Sequence, residues 1–181
     1  MSSSSSLSSY SHRLPVWAQL GIALALFALI YMILASSAYV SVWDEEDSNF
    51  YESAKLGLQM RGLSPSAPTA FVFWEKGCED CESSIRALQM APSQVRIYGV
   101  HLSNSDLPEH EIRSEWLKLA PAASVLLIDK DQFLQTNFRV RSIPMAFLYF
   151  PKHKKIFSYL GDISRNLEDM NEVVSSHSAG R

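Results

Sequence analysis

Cys78 and Cys81 are the only cysteines in this 181-residue chain, and they stand together as Cys78-Glu79-Asp80-Cys81. A bridge between them closes a very short loop. The stabilisation a disulfide draws from chain entropy grows with loop length, so the pair is poorly suited to stapling. Its spacing suits exchange chemistry instead. One thiolate attacks a disulfide in another molecule, and the second, a helical turn away, resolves the mixed disulfide. The same spacing also forms half of many zinc sites, but those need two further ligands. No third cysteine exists, and His12, His101, His110, His153 and His177 form no pair at ligand spacing. No metal is therefore assigned. His101, at the end of a predicted strand, reads as a loop-edge histidine rather than a ligand.

The flanks supply the elements that must position the thiols. Thr69–Trp74 is rich in aromatic and β-branched residues and reads as a buried strand. Glu75-Lys76-Gly77 breaks it. Glu79 to Met90 reads as a helix with Cys81, Ile85, Leu88 and Met90 on its inner face, stopped by Pro92. A strand, a tight turn and a cysteine at a helix N-terminus favour a thiolate, because free backbone N–H groups and the helix dipole attract negative charge there. Lys76 adds to this effect, whereas Glu79 and Asp80 oppose it. The balance predicts a reductant or mild exchanger.

Phe73-Trp74 ahead of Cys78, the C-x-x-C itself and Ser142-Ile143-Pro144 far downstream together resemble the thioredoxin superfamily. The resemblance implies an α/β thioredoxin-like fold, a central mixed sheet flanked by helices. It implies Cys78 as nucleophile, Cys81 as resolving thiol and a redox disulfide between them. Pro144 is implied to follow a cis peptide bond and to shape the substrate groove, with Trp74 and Ile143 as substrate-binding positions. No cofactor is implied. Strands at Met145–Phe150 and Lys155–Leu160, then Gly161 and a helix from about Ser164 to Val174, match the family's closing ββα order. Between the two motifs lie predicted elements at Val95–Leu102 (strand), Glu109–Leu119 (helix), Ser124–Ile128 (strand) and Gln132–Asn137 (short helix). This longer spacing is similar to the membrane-tethered extracytoplasmic branch, which includes the cytochrome-c-maturation thioredoxins and carries a helical insertion. The likeness covers residues 68–174. Three positions depart from it: Gly77 stands where thioredoxins have Trp, Val72 where many have a buried Asp, and Ser84 where the tethered branch often has Glu. The proton acceptor for Cys81 is thus unassigned; Glu75 and Glu82 are nearest, and both read equally as solvated surface charges.

Leu14 to Trp43 contain no charged side chain, and about 20 apolar residues suffice to span a bilayer. Trp17 at one end and Tyr39 and Trp43 at the other suit interfacial anchors, and Arg13 before the span favours a cytoplasmic N-terminus. Ser36-Ser37-Ala38 offers a signal-peptide cleavage site as the competing reading, although the apolar stretch is long for one. The expected organisation is a Ser-rich cytoplasmic tail (1–13), a transmembrane anchor (14–43), an N-terminal helix and linker (44–67), the thioredoxin-like domain (68–176) and a tail (177–181). Phe50, Ala54 and Leu58 share one helix face, expected to cover the sheet. With a formal net charge of −3 and no basic patch beyond the Lys152, Lys154 and Lys155 turn, nucleic acid is not an expected partner. The expectation is a single-pass protein of the inner membrane with its C-terminal domain in the periplasm or another extracytoplasmic space. Its expected partners are client proteins with cysteines, apocytochromes among them by resemblance, and a membrane dithiol that supplies electrons. The alternative is a non-catalytic metallochaperone or scaffold component of an envelope assembly machine.

Overall fold

In the six-residue strand β2, Thr69–Trp74, every side chain is buried. A strand covered on both faces must lie inside a sheet and carry apolar residues throughout, as Ala70-Phe71-Val72-Phe73-Trp74 does. The computed structural model describes residues 15–37, 43–44, 48–102, 107–120 and 122–178. The Ser-rich tail with Arg13, the expected anchor Tyr39, the acidic residues 45–47 and the last three residues lie outside these. The chain divides into two compact units between residues 39 and 40.

Among the described residues, the first unit holds the helix α1, Val16–Ser37, with no acidic residue in its first turn and no basic residue in its last. Trp17, Leu24, Phe27 and Tyr31 are all exposed. Among the residues whose side chains are described, no helix is long and apolar enough to cross a membrane; within α1 these residues are 17, 18 and 20–31.

The second unit holds a six-stranded sheet in the order β1-β6-β5-β2-β3-β4. Its strands are β1 Trp43–Asp44, β2, β3 Arg96–Leu102, β4 Val125–Asp129, β5 Met145–Phe150 and β6 Lys155–Leu160. β2, β3 and β4 run parallel, β5 runs antiparallel beside β2, and β6 runs antiparallel beside β5. The helices are α2 Ser48–Met60, α3 Glu79–Ala87, α4 Glu109–Leu119, α5 Phe133–Asn137 and α6 Leu167–Ser178. This is the mixed α/β, thioredoxin-like arrangement, with α4 and β4 inserted between the C-x-x-C helix and Pro144.

Alternation along β2 splits the core in two. Ala70, Val72 and Trp74 face one layer with Cys81 and Ile85 of α3, Trp116 of α4 and Val174 of α6. Phe71 and Phe73 face the other, with Phe50, Ala54 and Leu58 of α2 and Leu134 of α5. The apolar stripe of α2 thus covers the sheet as its periodicity predicts.

Several expectations need correction. The helix after Cys78 tightens into a 3-10 turn at Leu88–Met90; the change of pitch turns Met90 outward, 67% exposed, off the expected inner face. Trp43 pairs through its backbone with Ser158 of β6, so it belongs to the sheet rather than ending the anchor. The closing helix runs on through Ser178, and His177, expected in a tail, lies against the rings of Phe150 and Phe157.

Candidate redox site

β2 ends at Trp74, and the chain must turn at once to start α3 on the same face. Gly77 makes the turn at φ +83°, with open space where a Cβ would project. Conformation, not crowding, favours glycine here, since side chains of L-residues are strained at positive φ. That accounts physically for the departure from Trp at this position. Cys78 then takes the N-cap of α3 in extended conformation, and its Sγ accepts a hydrogen bond from the Cys81 backbone N–H at 3.2 Å. The sulfurs are bonded, 2.06 Å apart, with the Cα atoms 5.2 Å apart. Cys78 is half-buried, while Cys81 is fully buried against Ile85 and Trp74. Cys78 keeps exposed surface and Cys81 keeps none.

The charges near the thiols are mixed. The first turn of α3 carries Glu79, Asp80 and Glu82, which suit a helix N-terminus but disfavour a thiolate beside it. Lys76, expected to favour the thiolate, is bound 2.6 Å from Glu111 of α4, so part of its charge is already matched.

The Ile143–Pro144 bond is cis. Antiparallel register sets Phe73 opposite Met145, so the end of β2 and the start of β5 lie side by side. The Cys78 turn and the Ile143–Pro144 loop therefore emerge at the same end of the sheet. Ile143 keeps exposed surface and packs against both halves of the core, and Cys78 packs against the half that contains Cys81.

Trp74 does not occupy the position expected of it. It has no exposed surface and packs on His101 and Trp116, with ring centroids 5.0 and 5.5 Å away. Its side chain is core and offers nothing to a client. His101 is likewise not a loop-edge residue. It is fully buried on β3, opposite Trp74 in the parallel register, and neither ring nitrogen has a hydrogen-bond partner among the described residues. Burial lowers its pKa and keeps the imidazole neutral. Glu75 and Glu82 are both half-exposed.

Two groups were not picked out from sequence. One is His101 as a buried imidazole packed on Trp74; nothing in its local pattern distinguishes a buried histidine from a surface one. The other is Asp162. Ser84, at the position where the resemblance places Glu, is fully buried. It donates to the Asp162 carboxylate at 3.4 Å, while Ser83 donates to the other oxygen at 3.1 Å. The signal was present as Gly161-Asp162-x-Ser164, an Asp at a helix start. Burial pushes this carboxyl up, but hydrogen bonds from Ser164, Ser83 and Ser84 outweigh it and hold the group below the ordinary carboxylate value. Among the described residues no three His, Cys, Asp or Glu side chains converge as metal ligands.

The sequence matches no family model and no curated protein. The fold does match solved structures. It is similar to MTB dsbF in its mixed oxidized and reduced forms, 19% identical over 61% of this chain and 81% of that one, with TM-score 0.51. It is similar to a putative thiol:disulfide interchange protein DsbE from Chlorobium tepidum, 15% identical over 62% and 80%, TM-score 0.51. A putative thioredoxin from Neisseria meningitidis is 17% identical over 64% and 79%, again with TM-score 0.51. The fold is thus thioredoxin-like, the same fold as these solved structures, and it carries a Cys78–Cys81 pair at disulfide distance.

Proposed function

We propose that this chain is a membrane-anchored, extracytoplasmic thiol-disulfide oxidoreductase that reduces disulfides in client proteins. The observation that carries the reading is the asymmetry of the cysteines: a half-buried Cys78 at a helix N-terminus over a fully buried Cys81, at the sheet end where the partly exposed Ile143 and the buried Pro144 also lie. In the reduced protein the Cys78 thiolate attacks one sulfur of a client disulfide. A mixed disulfide forms and the client's other sulfur leaves as a thiolate, which takes up a proton. Cys81 loses its proton and attacks Sγ of Cys78. The Cys78–Cys81 bond forms, the second client thiol leaves, and two electrons have passed to the client. A dithiol in the membrane returns the pair to the reduced state. Ile143 presents its backbone to the client segment, and Pro144 shapes the groove.

Anchoring rests on α1. Its 22 residues extend about 33 Å at 1.5 Å per residue, about the thickness of a bilayer's hydrocarbon core. No charged residue interrupts them, and apolar residues on several sides are exposed. The C-terminal unit then lies outside the cytoplasm, where a reductant needs its own source of electrons. By resemblance, apocytochromes awaiting haem are among its clients.

Cys81→Ser, expressed in full-length form, is expected to accumulate a mixed disulfide through Cys78, visible as a reductant-sensitive band shift, while Cys78→Ser accumulates none. Equal trapping by both variants, or by neither, would sink the reading and favour a scaffold whose thiols are not used.

A further inference from the structure

The C-x-x-C helix is tied to the loop beside Pro144 by a group outside both motifs. Asp162 follows β6 and opens the 3-10 turn Ile163–Asn166. One carboxylate oxygen accepts from the Ser83 hydroxyl at 3.1 Å. The other accepts from the Ser84 hydroxyl at 3.4 Å and from the Ser164 backbone N–H at 3.0 Å. The Ser84 oxygen in turn accepts the Ile163 N–H at 3.0 Å. One residue earlier, the Gly161 N–H donates to the Pro144 carbonyl at 2.9 Å. An unbroken set of hydrogen bonds therefore runs from the helix that starts at Cys78, through Ser84 and the segment 161–163, to the cis proline.

The chemistry of this tie is specific. Ser84 is buried and uses its hydroxyl both as donor and as acceptor, which no apolar residue can reproduce. It lies three residues after Cys81, on the same helix face. Asp162 stays ionised through the pH range of thiol chemistry, since its carboxyl is held below the ordinary value, so it accepts the serine hydrogen bonds strongly. The same ionisation makes it a poor base for a thiol. The two elements it joins carry Glu79, Asp80, Glu82 and Arg86 on α3 and Arg165 on the 3-10 turn.

We propose that Asp162, acting through Ser83 and Ser84, is a positioning residue that fixes the distance between the Cys78 thiol and the Ile143–Pro144 loop, and so sets how an extended client segment docks. This rests on the thiol-disulfide reading above. A client peptide must touch sulfur and loop together, whereas a small disulfide need touch only sulfur.

The test uses prereduced full-length protein in single-turnover oxidation by two probes: a peptide cyclised by one disulfide, and bis(2-hydroxyethyl) disulfide. Asp162→Ala and Ser84→Ala are each expected to raise the half-saturating peptide concentration about tenfold, which corresponds to about 1.4 kcal/mol. The limiting rate and the rate with the small disulfide should stay within about twofold by the same conversion. The double variant should be no worse than either single one, because the two residues act as a unit. Asp162→Asn, which keeps an acceptor oxygen, should recover most of the peptide affinity. If the wild type oxidises the peptide but the variants match it, or if both probes slow equally, the positioning role is overturned while the oxidoreductase reading stands. A wild type that transfers electrons to neither probe overturns both.

Discussion

The two faces of the central sheet are built to different standards. Under α2 and α5, Phe138 sits at 5.3, 5.4 and 5.1 Å from the rings of Phe71, Phe73 and Phe147. The buried tyrosine hydroxyls there are matched: Tyr149 donates to Tyr51 at 2.9 Å, and Tyr51 donates to the Pro151 carbonyl, while Gln135 Oε1 of α5 has no hydrogen-bond partner among the described residues. Under α3 and α4, the indole N–H groups of Trp74 and Trp116 and both ring nitrogens of His101 have no hydrogen-bond partner among the described residues. That face carries the thiols. Buried polar groups left unmatched cost stability, and proteins tolerate such departures chiefly at functional sites. The difference teaches that aromatic packing dominates one face of the sheet while the face with the thiols keeps more unmatched polar atoms.

If the division is real, variants on the two faces should separate activity from stability. Cys78→Ser is expected to abolish exchange outright while leaving the midpoint of denaturant unfolding of the reduced protein nearly unchanged; a steady-state disulfide reduction assay and an unfolding curve check both. Phe138→Ala should do the reverse, costing about 3–5 kcal/mol in unfolding free energy with normal exchange per folded molecule. A large loss of exchange in folded Phe138→Ala would blur the two faces into one.

Gly99 sharpens the comparison from the thiol face. A Cβ there would overlap Cη2 and Cζ3 of Trp116, so Gly99→Ala must displace the indole, which packs on Trp74. Overpacking of this kind costs about 1–3 kcal/mol, and here, unlike at Phe138, exchange should slow as well. The smallest effect belongs to His101. Its folded pKa is lowered by burial, so below the unfolded value of about 6.5 the unfolded chain binds the proton more readily. Stability is therefore expected to fall as pH drops through that value and below, and to be unaffected well above it. His101→Phe should flatten this acid slope and be near neutral at pH 7, as melting temperatures across pH 5 to 8 would show. An unchanged slope would mean that His101 is not the group responsible.

Strands β2 and β5 were legible in the sequence to the residue, because a strand buried on both sides must be a nearly uninterrupted run of apolar and β-branched residues; β6, which contains Lys155 and Ser158, was legible as the return strand of a hairpin ended by Gly161. The cysteine pair and Ile143-Pro144 were legible for a different reason: their chemistry is local to a few residues. What escaped was whatever depends on partners distant in sequence. The burial of Trp74 is decided by His101 and Trp116 on neighbouring elements. The importance of Asp162 comes from Ser83 and Ser84, 79 and 78 residues away. β1 escaped because a strand of two residues beside β6 leaves no pattern to read.

The central claim, that Cys78 and Cys81 form a reversible pair poised to reduce others, is tested most directly by their reduction potential. Full-length protein held in lipid nanodiscs would be equilibrated with dithiol buffers and its free thiols counted by alkylation and mass. The account predicts that both cysteines titrate together in one two-electron step near or below the thioredoxin value of about −270 mV. A midpoint near −120 mV, the range of a strong oxidant, or a pair that never closes reversibly, would contradict it.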